Sequence, residues 1–354
     1  MFKLNNMNAL FVFLRRHVRG HRPGVLVVLV MVLAGGLQAQ PLMELKDFLN
    51  VVSKSPRIYQ YETTNDPVVT ANPYEKLNQN YFRLVDSAGV RFTRPYQISH
   101  TGIINEELGW QAYMADEPEI AMEIFQEILD SFPEYTPVMS KIAHVVEDRL
   151  GGPEAAIEWY RNALQINPID YIAAWSLAQV YQRQQDHDNA VHWILYAWIM
   201  NRNHRHIRRD VEQIVTGAGY QFTDWDFIPQ YQVSEVQGRI NLVYQPAWLG
   251  YALCQAVWDF EPRFAEQRDI QGNKESFRQR ECLACLLNTM RSDKEGSPDL
   301  ALLGYEHAMK NKMAFEFILF EILLTDKPDM AHLLDQGRIH QLIEYIKSTR
   351  MTRP

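Results

Sequence analysis

Apolar residues recur with the period of an α-helix over the middle of the chain, and small residues interrupt this bulky stripe at fixed intervals. In the stretch GGPEAAIEWYRNALQINP, Ala156 and Ala163 lie seven residues apart on the apolar face, and Pro168 follows five residues after the second alanine. A single amphipathic helix has no need of small residues at this spacing. The pattern therefore indicates a larger repeating unit.

The small residues also repeat at a longer interval of 34 or 35 residues. Ala121 lies 35 residues before Ala156, Ala190 lies 34 residues after it, and Pro133 precedes Pro168 by 35 residues. Two more sets share this spacing: four places after the alanines stand Phe125, Tyr160 and Ile194, and twelve places before them stand Gly109, His144 and Ala178. Three sets of positions in one register predict repeated pairs of helices.

This pattern resembles the tetratricopeptide repeat, a unit of about 34 residues built from two helices, A and B. The resemblance covers residues 101–204, about three repeats, and implies that small residues lie where the two helices cross. Helix axes approach to about 8–10 Å only where side chains are small, so physical reasoning agrees. The expected crossing positions are Gly109, Ala121, Ala156, Ala163, Ala178, Ala190 and Ala197, with Phe125 and Tyr160 in neighbouring holes.

Three residues depart from the family pattern. His144 stands where the family has a small residue, Arg202 replaces the proline that should close the third repeat, and Trp175 lies one position later than the family's tryptophan. These departures leave the predicted fold class unchanged. It is all-α, a tetratricopeptide-type helical-hairpin solenoid of about three repeats followed by a mostly helical C-terminal region.

The regions flanking the repeats are less regular. A helical pattern runs from Leu42 to Val52, and the polar, aromatic-rich stretch after it is compatible with an irregular wrap or a short hairpin. After the repeats we expect a helix that caps the solenoid, then one short strand, GRINLVYQ, among further helices. The sequence thus predicts a leader, an N-terminal wrapping segment, the solenoid and a helical capping region, over residues 1–39, 40–100, 101–204 and 205–354.

The first 39 residues have the order of a secretory signal peptide. Five basic residues and no acidic residue precede the 13-residue apolar run VLVVLVMVLAGGL, which Gln38 and Ala39 follow. We expect cleavage after Ala39 and a periplasmic or secreted protein. The alternative is an uncleaved membrane anchor, but a spanning helix needs about 20 apolar residues and this run is shorter.

The charge of the chain argues against one class of partner, and its cysteine content argues against a disulfide scaffold. Removal of the leader leaves 30 basic against 43 acidic residues, a net charge near −13. Such a chain repels phosphate backbones, so we expect no nucleic-acid partner, and a membrane partner only if the leader is uncleaved. Three cysteines are too few for a disulfide scaffold, so packing must supply the stability.

The cysteines give only a weak signal for chemistry. Cys282 and Cys285 form a C-x-x-C inside a periodic helical run, whereas a redox pair would open a helix, where the helix dipole lowers the thiol pKa. We interpret the cysteines as buried apolar fillers. Pairing of Cys254 with one of the other two across two helices is the alternative. With no second C-x-x-C, a structural zinc site is unsupported.

Histidines and carboxylates likewise show no catalytic spacing. His187 and His192 are five residues apart, which places them on different faces of a helix, and no metal-binding spacing is present. DWDFIP at 224–229 and VWDFEP at 257–262 place carboxylates beside tryptophan, but both precede proline, so capping and chain reversal explain them more simply. We therefore expect no catalytic residue, no metal and no cofactor.

Without a catalytic arrangement, the function is expected to lie in binding, because a solenoid presents a concave surface. The resemblance implies a groove lined by helix A of each repeat. The candidate binding residues are Trp110, Tyr113, Lys141, Arg149, Trp175, Gln179 and Arg183, beside Glu106, Val145, Asp148 and Gln182. Aromatic residues and arginine are enriched where interfaces bind tightly. The set has fewer lysines and asparagines than the family's clamp for a C-terminal carboxylate needs. Packing of Trp110 and Tyr113 against the N-terminal segment is the alternative role for those two.

Two functions are compatible with these features. The first is an exported, noncatalytic scaffold that binds a protein or peptide through the groove, in the cell envelope or outside the cell. The alternative is an envelope enzyme with its active site in the C-terminal helical region and repeats that recruit substrate. A pocket converging on Cys254, Cys282, Asp259 or Glu261 would favour the enzyme, and a filled helical core there would favour the scaffold.

Overall fold

The computed structural model describes residues 42–68, 76–267, 274–290 and 300–353. The expected leader, its cleavage site after Ala39 and the anchor alternative lie outside the described residues. None of the helices within the described ranges is long and apolar enough to span a bilayer.

The solenoid consists of three antiparallel helix pairs, and the predicted fold class is confirmed. Before it come α1 and three short strands: α1 (Leu45–Ser53), β1 (Ile58–Thr63), β2 (Phe82–Val85) and β3 (Arg91–Arg94). The pairs are α2 (His100–Met114) with α3 (Pro118–Ser131), α4 (Thr136–Val145) with α5 (Gly152–Ile166), and α6 (Tyr171–Arg183) with α7 (His187–Met200). In each pair the first helix is helix A and the second is helix B.

Small residues lie where the helices of a pair cross, as their spacing predicts. Each of the six alanines expected at crossings is fully buried, namely Ala121, Ala156, Ala163, Ala178, Ala190 and Ala197. Gly109 lies so close to helix B that a Cβ there would come within 2.5 Å of the Phe125 ring. In the second repeat His144 occupies the equivalent place and its Nδ1 lies 3.1 Å from the Tyr160 hydroxyl. A hydrogen bond thus accommodates the departure at His144.

The turn between helices A and B differs in the second repeat. In the first and third repeats the turn contains a left-handed residue, Asp116 with φ 66° and Gln185 with φ 60°. In the second repeat α4 continues as a π-helical turn, Val146–Leu150, and the left-handed residue is Gly152 with φ 77°. Because glycine has no Cβ, it adopts this conformation at little cost. The π-helical turn places Glu147 and Asp148 on the side of helix A that faces the neighbouring repeats.

The C-terminal region is mostly helical, as expected. Its elements are α8 (Arg205–Gly217), β4 (Gln221–Phe222), β5 (Tyr231–Val236), β6 (Arg239–Tyr244), α9 (Leu249–Phe260), α10 (Pro262–Gln267), α11 (Lys274–Met290), α12 (Leu300–Lys310), α13 (Ala314–Phe317), α14 (Leu324–Asp326), α15 (Gln336–Arg350) and β7 (Met351–Thr352). A π-helical turn, Ile318–Leu323, joins α13 to α14, and a 3-10 helix, Pro328–Leu333, precedes α15. α8 packs against α7 and extends the solenoid by one helix A.

The predicted strand GRINLVYQ is β6, the centre of a three-stranded sheet with the order β1-β6-β5. β5 and β6 form a hairpin whose turn residues, Gln237 and Gly238, both have positive φ, as a two-residue hairpin turn requires. β1 joins β6 in parallel from the N-terminal segment. The buried face of β6, formed by Ile240, Leu242 and Tyr244, contacts α9.

Residues 76–83 form an extended strap that crosses the ends of the B helices. Asn167 and Asn201, 34 residues apart, follow α5 and α7 and are fully buried. The Asn201 side chain accepts from the backbone N–H of Asn78 and donates to its carbonyl oxygen. The Asn167 side chain accepts from the backbone N–H of Arg83 and donates to the carbonyl oxygen of Tyr81. The ends of the second and third repeats thus each hold one stretch of the strap through an asparagine amide.

After the strap, β2 and β3 pair as an antiparallel hairpin with Phe82 opposite Arg94. Both structures that the sequence left open are therefore present, a wrap over residues 76–83 and a hairpin over residues 82–94.

Arg202, which replaces the closing proline of the third repeat, lies in a buried ionic cluster. Its guanidinium donates to Glu321 at 3.0 Å, and Arg350 of α15 donates to both oxygens of the same carboxylate. The side chains of Glu321 and Arg350 are fully buried and that of Arg202 is 2% exposed. Three aromatic rings lie against the two guanidiniums, those of Trp198, Phe320 and Trp225. The residue that breaks the repeat pattern joins the solenoid to the C-terminal region.

We expect Glu321→Gln to lower the free energy of unfolding by about 3–5 kcal/mol, because the change leaves two buried guanidiniums without their shared countercharge. Urea unfolding of the two proteins measures this loss. Glu235→Gln is the matched control, since Glu235 also pairs with an arginine, Arg57, but the two side chains are 40% and 33% exposed and lie outside this cluster. A loss of about 1 kcal/mol or less is expected for the control. Equal unfolding curves for Glu321→Gln and wild type would contradict the prediction.

His332 lies beneath the strap in the 3-10 helix before α15. Its side chain is 1% exposed, its ring meets Tyr81 edge-on at 6.3 Å, and among the described residues neither ring nitrogen has a hydrogen-bond partner. Burial lowers the pKa of His332 to about 4, with Asp329 opposing this shift and the nearby Arg83 contributing to it. The native state therefore holds this imidazole neutral.

Because the unfolded chain binds a proton to His332 near pH 6.5 and the native state only near pH 4, native stability falls as the pH drops from about 6.5 towards 4. At pH 5 the loss should be about 2 kcal/mol relative to pH 7.5. We expect His332→Phe to remove this part of the pH dependence. Urea unfolding at both pH values tests the prediction, and an unchanged difference in the variant would contradict it.

Candidate binding groove

The A helices α2, α4 and α6, continued by α8, contribute neighbouring side chains to one surface, the groove. All seven candidate binding residues lie on these helices or on the π-helical turn that continues α4. None of them is buried: Arg149 and Arg183 are exposed, and the other five are half-buried. The C-terminal helix α15 packs against α7, a B helix, and so approaches the solenoid from its other side.

Trp110 lies between the first two repeats. Its ring packs at 5.0 Å from Tyr113 and 6.2 Å from His144, and the ammonium of Lys141 lies 5.3 Å from its centre. Lys141 also pairs with Glu106 at 3.0 Å. These described contacts come from α2 and α4, so Trp110 packs on the face that these two A helices share.

A second pair of contacts joins the same repeats nearer the turns. The Tyr113 hydroxyl donates to Asp148, and Arg149 pairs with Asp116 at 3.2 Å. Burial and then the bond to Asp148 raise the pKa of Tyr113 to about 12, so the hydroxyl stays protonated and acts as a donor. Both contacts link the first repeat to the second on the groove side.

Glu147 connects the second repeat to the third. Two nitrogens of Arg183 donate to its Oε1, at 3.0 and 2.5 Å. The Glu147 side chain is 9% exposed, whereas that of Arg183 is 57% exposed. The carboxylate therefore lies in the floor of the groove and holds a guanidinium that projects towards solvent.

Asp210 of α8 is a second carboxylate in the floor of the groove, at the end that follows the third repeat. The Trp175 indole N–H donates to its Oδ2 at 2.9 Å, and the Gln179 amide donates to the same oxygen at 3.1 Å. Arg209 pairs with its other oxygen and is 68% exposed, against 10% for Asp210. The ring of His204 packs 5.4 Å from Trp175.

Sequence reasoning missed His144, Glu147, His204 and Asp210 as groove residues. Asp210 lies 35 residues after Trp175, so carrying the repeat spacing one helix further would have found it. Glu147 had no such signal, because the π-helical turn that orients it is absent from the other two described repeats.

The groove is an open surface. A cavity of about 260 Å³ is lined by residues that include Phe82, Arg94 and Tyr135, and one of about 640 Å³ by residues that include Tyr220 and Arg353. None of the candidate binding residues lines either cavity. An open row of side chains suits an extended macromolecular segment better than a small molecule, which is usually enclosed.

The C-terminal residues weighed for chemistry have structural surroundings. Cys254 and Cys282 are fully buried between α9 and α11. Asp259 pairs with Arg278, and Glu261 accepts hydrogen bonds from Ser55 and Tyr59. Other buried side chains of α9 and α11 surround the thiols.

The histidine and carboxylate motifs also serve local structure. His204 Nδ1 accepts from the backbone N–H of Ile207 and caps α8, and the DWDFIP carboxylates of Asp224 and Asp226 bind Arg208. Within the ranges that the structure describes, no group of three or more metal-ligating side chains could hold an ion.

Neither a protein-family model nor a curated protein matches the chain. Solved structures similar to it include the first tetratricopeptide repeat domain of Spaghetti (RPAP3) bound to the HSP90 peptide SRMEEVD, with 14% identity over 34% of this chain and 95% of that chain and a TM-score of 0.31. MamA has 10% identity over 67% of this chain and 98% of its own, with a TM-score of 0.30. The tetratricopeptide repeat domain of P58(IPK) has 11% identity over 70% of this chain and 65% of its own, with a TM-score of 0.28. These scores are too low to carry an argument, so the tetratricopeptide-like fold of this chain rests on its own three helix pairs.

Proposed function

We propose that the protein is a noncatalytic scaffold, exported to the cell envelope or beyond the cell, that binds a protein or peptide in the groove. The observation that carries this proposal is the row of partly exposed aromatic and charged side chains that runs without interruption across α2, α4, α6 and α8. Tryptophan, tyrosine and arginine are the residues that dominate binding energy at protein interfaces.

The charge pairs within the groove support a preorganised surface. Glu106, Glu147 and Asp210 each hold a cation that is more exposed than the carboxylate itself. Because the cations are already held in place, less side-chain entropy is lost when a partner binds them. Each arginine also has donor hydrogens to spare, since a guanidinium carries five.

Export is proposed from the leader, and the acidic composition argues against nucleic acid as the partner. The partner is therefore expected to be a protein or peptide of the envelope or of the outside of the cell, met in a compartment where disulfides persist. The buried surroundings of Cys254 and Cys282 and the paired state of Asp259 and Glu261 favour this scaffold over an enzyme in the C-terminal region.

Export predicts that the mature protein begins near Gln40. N-terminal sequencing of the protein isolated from its native cell measures this directly, and fractionation of the envelope assigns its compartment. An intact leader in the isolated protein would contradict export of a free scaffold and would indicate a protein anchored to the membrane by its leader.

If the partner binds in the groove, replacing a groove side chain should weaken the partner's binding and leave the protein folded. The full chain, tagged at its C-terminus and expressed in its native cell, captures the partner for identification by mass spectrometry. Trp110→Ala and Arg183→Ala should then each weaken the partner's binding about thirtyfold, which corresponds to about 2 kcal/mol, because these side chains would touch the partner rather than the core. Calorimetric titration measures the affinity and thermal melting measures the folding.

Glu158→Ala is the matched control, since Glu158 is exposed on α5, a B helix, and should change neither affinity nor melting. If Trp110→Ala lowers the melting temperature sharply while the captured partners stay the same, the tryptophan is a packing residue. The partner must then be sought on another surface.

A further inference from the structure

We infer that Cys254 and Cys282 form a disulfide that joins α9 to α11 in the mature protein. The two Sγ atoms lie 2.6 Å apart, closer than unbonded sulfur atoms normally approach. Both residues are fully buried. The inference goes beyond binding in the groove, because it concerns the covalent state of the C-terminal region.

The packing of the two helices fixes this pairing. α9 and α11 are antiparallel and cross at Gly250, where a Cβ would lie 2.5 Å from the Cys285 carbonyl oxygen and closer still to Thr289 Oγ1. One turn further along α9, Cys254 faces Cys282. Another turn on, the Trp258 indole N–H donates to Glu281. Contacts on both sides of the thiols therefore hold them in register.

Cys285 is the third thiol of this cluster and stays reduced. It lies one turn after Cys282 on the same helix, is fully buried, and also contacts Cys254. Its carbonyl oxygen is the atom that packs against Gly250 and accepts from Thr289 Oγ1, so its backbone marks the crossing itself. The close Sγ contact is to Cys282, which selects that residue over Cys285 as the partner of Cys254.

The oxidant is the disulfide of a thiol oxidoreductase or of oxidised glutathione. A thiolate from one cysteine attacks it, forms a mixed disulfide and releases one thiolate. The second cysteine then attacks the mixed disulfide, forms the Cys254–Cys282 bond and releases the other thiolate. Two protein thiols lose two electrons and two protons, and one external disulfide is reduced to two thiols. Because both sulfurs are buried in the native state, the exchange takes place before α9 and α11 close.

The bond would link residues 28 apart in the sequence across a connection that includes the short helix α10. A disulfide that closes a loop of this length stabilises the native state by restricting the unfolded chain. Once formed in the core, it is shielded from reductants. Formation in the cell rests on the proposed export, whereas the test below does not.

The full chain is unfolded, reduced, and refolded in mixtures of reduced and oxidised glutathione. It is then quenched in acid and alkylated with N-ethylmaleimide in denaturant. Intact mass should show a single alkylated cysteine in the oxidised product against three in the reduced protein. Peptide mapping should join the peptides that contain Cys254 and Cys282. The oxidised protein should melt about 5 °C or more above the reduced one.

Cys285→Ala is the matched control, because it should keep the disulfide and the melting difference while the remaining alkylation disappears. Cys282→Ala should abolish the melting difference. Three alkylated cysteines at every glutathione ratio would overturn the inference, and so would a bond that maps to Cys285. If the disulfide forms in vitro but the protein from the cell keeps its leader, this inference is supported and the proposed export is contradicted. The failure of one proposal can therefore be told apart from the failure of the other.

Discussion

The burial of Glu321 between the guanidiniums of Arg202 and Arg350 is the interaction on which the arrangement of this chain depends. Arg202 ends the solenoid, Glu321 lies in the π-helical turn after α13, and Arg350 ends α15, so one carboxylate joins three separate parts of the chain. Asp224 and Asp226 lie beside these guanidiniums and also bind Arg208. Three arginines thus meet three carboxylates. Such a balance is necessary, because an uncompensated charge in this core would cost several kcal/mol.

The strap holds the other side of the solenoid by a different means. The peptide groups of the strap lose their hydrogen bonds to water when they are buried. The side-chain amides of Asn167 and Asn201 replace these bonds, since each accepts one hydrogen bond from the strap and donates one to it. The repeat spacing places the asparagines one repeat apart, so an extended chain can meet both in sequence. Both the strap and the C-terminal region use the ends of the B helices, and among the described residues the groove on the A helices remains accessible.

Contacts between successive helices of the solenoid hold the side chains of the groove in place. Lys141, Arg183 and Trp175 connect successive helices of the solenoid, and each also keeps part of its surface exposed. Exposed ion pairs contribute little to stability, about 0–1 kcal/mol each. Their larger consequence is positional, since they hold cations and aromatic rings in one row before a partner arrives. The Cys254–Cys282 pair lies in the core of the C-terminal region, where its redox state can change stability without touching this row.

The sequence by itself determined the helix pairs, because the residues that contact each other in a repeat are separated by a short and constant distance in the sequence. The spacing predicted a helix crossing at Gly109 and a ring in a neighbouring hole at Phe125, sixteen residues later, and the structure brings the two into contact. It also placed the groove candidates on the A helices. Only the tertiary structure decided the contacts between residues far apart in the chain, such as Asn78 with Asn201, Arg202 with Glu321, and the parallel pairing of β1 with β6. These contacts depend on where the whole chain returns in space, and no local pattern of apolar and polar residues encodes that return.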